Sequence, residues 1–250
     1  MNKWTKKVKF VLIFLFLVLP FIDITRPFQG LMLSKAVAKK DIPNMNSLSN
    51  IDLLRQLVVI PDNLEDKDEL GKMIYRINQI DRPVLSLLVN QRVKVRLFQG
   101  SLTDEPLLYF LRWEKPRGWK KDVTWTDVPG SGGGWLVSAK IGASEPGSGH
   151  GSINLELHEI GHTVYKLLKT SPVYAEKIQE IWKMEADQVY PDNAYFLNYS
   201  TEYFAEMFAT YYYSDETANK IADNAPQTYQ LFSDFVSLKT NKITRNYYYH

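Results

Sequence analysis

The sequence contains no cysteine. Disulfides, cysteine-zinc sites and thiol catalysis are excluded together, which leaves histidine and carboxylates as the side chains able to ligate a metal. Histidine is itself scarce, with four residues in 250. Internal repeats and low-complexity tracts are lacking too. Charge of one sign is not in excess: the formal net charge is +2, and that small surplus is local. Within the first 38 residues stand Lys3, Lys6, Lys7, Lys9, Arg26 and Lys35 against Asp23 alone, so the remainder carries 24 basic and 27 acidic residues. A slightly acidic body has no electrostatic reason to bind nucleic acid or an anionic membrane. Long apolar runs are missing with one exception, Phe10 to Ile22, interrupted by Pro20. As a helix that run rises about 20 Å, short of a bilayer core of about 30 Å.

What is present first places the protein. A basic start, a short apolar run and the small-x-small triplet Ala36-Val37-Ala38 read as an export signal peptide over residues 1–38, cut after Ala38. The expectation is a secreted, extracellular protein without stable membrane association once the leader is removed; an uncleaved anchor is the alternative. Residues 39–50 read as a polar, flexible lead. At 45% apolar and 23% charged residues the composition is that of a globular protein, and residues 51–250 are long enough for one core, so a single domain is expected.

Periodicity gives the elements. Leu53, Leu54, Leu57 and Val58 have helical spacing within 51–60, and Leu70, Met73, Ile74 and Ile77 form an i, i+3, i+4, i+7 stripe behind an acidic first turn. Val93, Val95 and Leu97 alternate and predict a strand over Arg92 to Phe98; a second strand is predicted over Leu136 to Ile141. Between them Pro116 to Gly134 reads as a long loop, and Gly147 to Gly151 as another. The rest is helical in character: Ser152 is the expected N-cap of a helix to about Lys169, and Ser171-Pro172 opens one to about Gln188. Further helices are expected over Thr201 to Tyr213 and after Pro226. The order is an α+β half followed by a mainly helical half.

The chemistry is concentrated at His158-Glu159-Ile160-Gly161-His162. On a helix, residues four apart share a face, so the two imidazoles converge on one point, and Glu159 can reach a water there without being a ligand. Three of the four histidines, His150, His158 and His162, fall within 13 residues. Leu155, Leu157, Val164, Leu167 and Leu168 give the same helix a packing face. A catalytic metal has three protein ligands and one open position, so the third is expected to be a carboxylate on a later element. Glu202 and Glu206 share one face of an aromatic helix, so one can ligate while the other supports an imidazole. Spacing alone leaves Glu185, Glu202 and Glu206 open.

Four stretches carry a family resemblance: Tyr195 to Phe208, Asn224 to Tyr229, Trp125 to Gly130 and His150 to His162. They resemble the anthrax lethal factor catalytic domain, and more closely the small secreted Pro-Pro endopeptidases of that family. The resemblance implies a compact zincin-like metallopeptidase domain, with a small twisted sheet over the active-site helix. It implies one Zn2+ held by His158, His162 and Glu202, Glu159 as general base, Tyr195 as oxyanion donor and Glu206 behind the ligands. Trp125 matches a tryptophan that lies against substrate, and Trp135 and His150 are further candidates at the cleft. The substrate implied is a proline-rich extracellular protein or peptide; the sequence leaves the oligomeric state open, with a monomer as the simplest case. Val123 and Thr201 depart from the pattern, because a related enzyme carries a Lys–Glu pair at those positions. Two other readings are a toxin-like protease of different specificity and a non-catalytic binding module, which the family also contains in a form lacking the metal motif.

Overall fold

The structure, a computed structural model, describes residues 3–18, 28–36, 42, 45–116, 123–240 and 243. It is an α+β fold in which a five-stranded sheet carries helices. The strands are β1 (Leu31–Met32), β2 (Val58–Ile60), β3 (Lys94–Phe98), β4 (Gly130–Ser131) and β5 (Leu136–Lys140), in the spatial order β1-β2-β3-β5-β4. The three central strands are parallel, with Val95 opposite both Val58 and Val137. Both edge strands run antiparallel to their neighbours.

Ahead of β1, α1 (Lys3–Val18) holds the basic and apolar residues of the expected leader. Among the described residues, no helix is long and apolar enough to cross a membrane. The leader boundary expected after Ala38 and part of the flexible lead lie outside the described residues. Residues 31–36, inside that expected leader, belong to the folded body as β1 and the short helix α2 (Leu33–Ala36).

From β1 to β3 the connections are helical. The apolar run at 51–60 divides: α3 (Ile51–Leu57) stops and β2 begins at Val58, where three consecutive β-branched residues favour extended backbone. α4 (Lys67–Asn78) starts where the Asp66 carboxylate accepts the Glu69 amide at 2.9 Å, and its stripe Leu70, Met73, Ile74 and Ile77 is fully buried. α5 (Arg82–Asn90) opens with Pro83 in its first turn and buries Val84, Leu85, Leu87 and Leu88.

The second half is helical as expected: α6 (Leu155–Leu168), α7 (Pro172–Val189), α8 (Ala194–Asn198), α9 (Ser200–Tyr213), α10 (Asp215–Asn224) and α11 (Pro226–Ser233). The cap of α6 is Asn154, not Ser152. Asn154 Oδ1 accepts the Leu157 amide at 3.0 Å, while the Ser152 hydroxyl bonds Asn154's own carbonyl and amide and holds it extended. α6 lies on β4 and β5 and packs most extensively against α9. That second contact is close because a Cβ on Gly161 would stand 2.9 Å from Ala205 Cα. The Gly132 to Trp135 hairpin is pinned to the same helix: the Gly133 amide donates to Thr163 Oγ1, which donates on to the Gly134 carbonyl, each at 3.0 Å.

Candidate metal centre

α6 presents His158 and His162 from one face, one turn apart, with their Nε2 atoms 3.1 Å from each other. From α9, the Glu202 carboxylate reaches the same point, its Oε2 at 3.3 Å from His162 Nε2 and 3.7 Å from His158 Nε2. Donors bound tetrahedrally to one small cation at about 2.0–2.2 Å stand about 3.3–3.6 Å apart, so the triangle has the size of one face of a tetrahedral shell. One atom from each of the three residues lies within 4.8 Å of the others, and they could hold a metal ion. The two imidazoles meet edge to face. Both rings retain slight exposure to solvent.

Each ring is held through its other nitrogen. His158 Nδ1 donates to Glu206 Oε2 at 2.9 Å, and Glu206 Oε1 accepts the Ile153 amide at 2.8 Å, which ties α9 to the chain entering α6. His162 Nδ1 donates to the Thr201 hydroxyl at 3.0 Å. Such outer partners fix ring orientation and tautomer at a metal ligand. Glu206, expected behind the ligands, bonds the His158 ring on the side away from His162. Thr201 completes the arrangement without having been singled out as a site residue.

The electrostatics are those of a tight cation site. Burial alone would lower the His158 pKa, but the hydrogen bonds it donates to Glu202 and Glu206 outweigh it and push it up to about 10. Burial opposes ionisation of Glu202 and Glu206 as well. The imidazoles overcome that and hold both carboxyls below their ordinary value, with the Tyr195 hydroxyl adding a hydrogen bond to Glu202. Glu159 is shifted the other way: burial raises its pKa, against the pull of both histidines. A carboxylate lifted towards neutrality is a stronger base for a water proton.

The remaining carboxylate candidate is accounted for. Glu185 on α7 is buried and accepts the amides of Gln227 and Thr228 and the Thr228 hydroxyl, at 2.7, 2.9 and 2.7 Å. It closes the first turn of α11 and does not join the metal group. Tyr195 sits on α8, capped by Asn193, over a third exposed, with its ring against Phe196 and Tyr199.

The candidates for substrate contact are more dispersed. Trp125 is half-buried on a small apolar cluster of Phe98, Leu102 and Val128 that Val123 also covers. Trp135 lies in the β4–β5 hairpin, its carbonyl accepting the Lys94 amide at 2.7 Å. His150 is tied to its own loop, Nε2 standing 2.6 Å from the Ala143 carbonyl; burial lowers its pKa, as does the charge of His158.

Comparison with known proteins identifies the lineage. Residues 44–235 match the family model described as anthrax toxin lethal factor, N- and C-terminal domain. The chain belongs to the lethal factor family. Within it, this family member is 38% identical over 182 residues to a Pro-Pro endopeptidase from Paenibacillus alvei, covering 72% of this chain and 83% of that one. It is 37% identical over 187 residues to a Pro-Pro endopeptidase from Clostridioides difficile, covering 74% and 84%. The solved structure of the Paenibacillus alvei enzyme superposes with a TM-score of 0.68 at 38% identity, over 73% of this chain and 98% of that chain. The lethal factor family member described here is accordingly a peptidase with the α+β fold of the Pro-Pro endopeptidases.

Proposed function

We propose that this peptidase is a secreted, zinc-dependent endopeptidase that hydrolyses the bond between two prolines in an extracellular, proline-rich protein. The observation that carries the reading is the triangle of His158, His162 and Glu202, with Glu159 beside it, in a chain 37–38% identical to two Pro-Pro endopeptidases. Two imidazoles and one carboxylate are a donor set that zinc takes in hydrolases, and the 3.1–3.7 Å spacing fits it. Bound there, zinc would act as a Lewis acid and lower the pKa of a coordinated water.

Glu159, its basicity raised by burial, takes the proton of the attacking water and delivers it to the departing proline nitrogen. That nitrogen leaves as a secondary amine and needs the proton. The Tyr195 hydroxyl, beside Glu202, donates to the carbonyl oxygen as negative charge develops on it. Glu206 and Thr201 hold the imidazoles so that both Nε2 atoms stay aimed at one point. β4 is an edge strand of the sheet, the position from which a strand can pair with an extended peptide. Proline offers no N–H and has fixed φ, so an aromatic wall at Trp125 selects ring shape rather than backbone donors.

A peptide library read by mass spectrometry tests the specificity, and the pair of wild type and Glu159→Gln tests the mechanism. Cleavage between two prolines is expected, with kcat/KM reduced by about 10²–10⁴ in the variant while about one equivalent of zinc is retained. Turnover undiminished in Glu159→Gln would refute the mechanism. Cleavage without proline on both sides of the bond would point to the toxin-like specificity instead.

A further inference from the structure

The family match begins at residue 44, yet the sheet begins earlier. β1 pairs with β2 in a two-residue antiparallel ladder, Leu31 opposite Ile60 and Met32 opposite Val59. The helix that follows inserts Leu33 and Ala36 into the main core, both with no exposed surface. β2 itself is Val58, Val59 and Ile60, all fully buried, with β3 on one side and β1 on the other. Without β1, one edge of this apolar strand would present unpaired amides and carbonyls.

Two details show that the segment is fitted to its place. Gly30 has φ of +111°, and a Cβ there would stand 2.5 Å from the Ile60 carbonyl oxygen, so only glycine enters this ladder unstrained. The Gln29 amide donates to Glu105 Oε2 at 2.9 Å. Glu105 is fully buried, and the same oxygen lies 3.1 Å from Arg96 Nε on β3. Losing the amide would leave a buried carboxylate one donor short. By contrast, the described side chains of α1 project to solvent, Trp4, Phe10, Leu12, Ile13 and Phe14 among them.

We propose that residues 28–36 are a permanent part of the working enzyme, an edge strand supplied by the chain's own N-terminal extension. Export processing cuts between Val18 and Phe28, not after the Ala36-Val37-Ala38 triplet. The small residues of that triplet are a false cleavage signal, because Ala36 is small for packing: it sits against the core.

The position of the cut rests on the export reading; the structural role of the strand does not, and two measurements separate them. The full chain is expressed with its own leader in a Gram-positive secretion host, and the exported protein is characterised by intact mass and N-terminal sequencing. A mature N-terminus within 19–28 is expected; an uncut chain would overturn the position of the cut and leave the strand's role to the second measurement. An active protein beginning at Lys39 overturns the proposal. In the full chain, Gln29→Pro removes the donated amide while Gln29→Ala keeps it, and Leu33→Asp places a charge in the core. Falls in Tm of about 3 °C or more are expected for Gln29→Pro and Leu33→Asp, with Gln29→Ala unchanged. Equal Tm for Gln29→Pro and Gln29→Ala, together with a silent Leu33→Asp, would show that the segment contributes nothing.

Discussion

His158 and His162 are held through Nδ1 by partners of different charge, a carboxylate and a hydroxyl. Glu206 raises the basicity of His158, whereas Thr201 orients His162 without adding charge. Thr201→Val, which keeps the shape and removes the acceptor, is expected to weaken zinc binding by about 10–100-fold in competition with a chelator, with Thr201→Ser restoring most of it. Equal affinity in all three proteins would reduce Thr201 to a packing residue. The convergence of the two imidazoles, with Glu159 beside them, was legible in the sequence because it depends on a fixed four-residue spacing. Thr201 was not. A threonine in the first turn of a helix has many ordinary uses, and only the fold shows an imidazole across from it. Glu185 shows the converse: a buried glutamate near the motif in composition, which tertiary packing assigns to the amides of α11.

Elements set the spacing that residues exploit. Gly161, the fourth position of the motif, admits α9 so closely that Glu202 can reach the imidazoles carried by α6. Gly161→Ala is therefore expected to part the two helices by some tenths of an ångström. It should lower both Tm and zinc affinity although alanine is the better helix former. A variant with raised Tm and unchanged affinity would contradict this. The buried stripe of α4, the face of α6 and the strands flanking 99–135 followed from periodicity alone, because each is long enough for its apolar residues to repeat. The three-residue β2, the short α8 and the edge strands β1 and β4 did not, because two or three residues have no period. α5 and α10 were missed for another reason: their capping residues, Asp81 and Ser214, stand in polar stretches that also read as turns.

For the molecule as a whole, the metal group dominates the expected pH dependence when metal has been stripped. The His158 pKa rises from 6.5 to about 10 on folding, so its contribution is complete below pH 6.5 and is lost as pH climbs through about 10. Glu202 and Glu206 are depressed from 4.5, so theirs is complete above that value and is lost in acid. Glu159, raised by burial, acts in the opposite sense and is least costly in acid. Calorimetry on chelator-treated protein should show Tm falling between pH 6.5 and 10, and His158→Asn should flatten that limb. A Tm independent of pH across this range in the wild type would contradict the assignment.

Because His158 and His162 ride on α6 while Glu202 comes from α9, a cation at their meeting point would belong to neither helix. It would rivet together two parts of the chain between which α7 and α8 are strung. Chelation would then act on the body of the enzyme as well as on its chemistry, slackening the joint between α6 and α9.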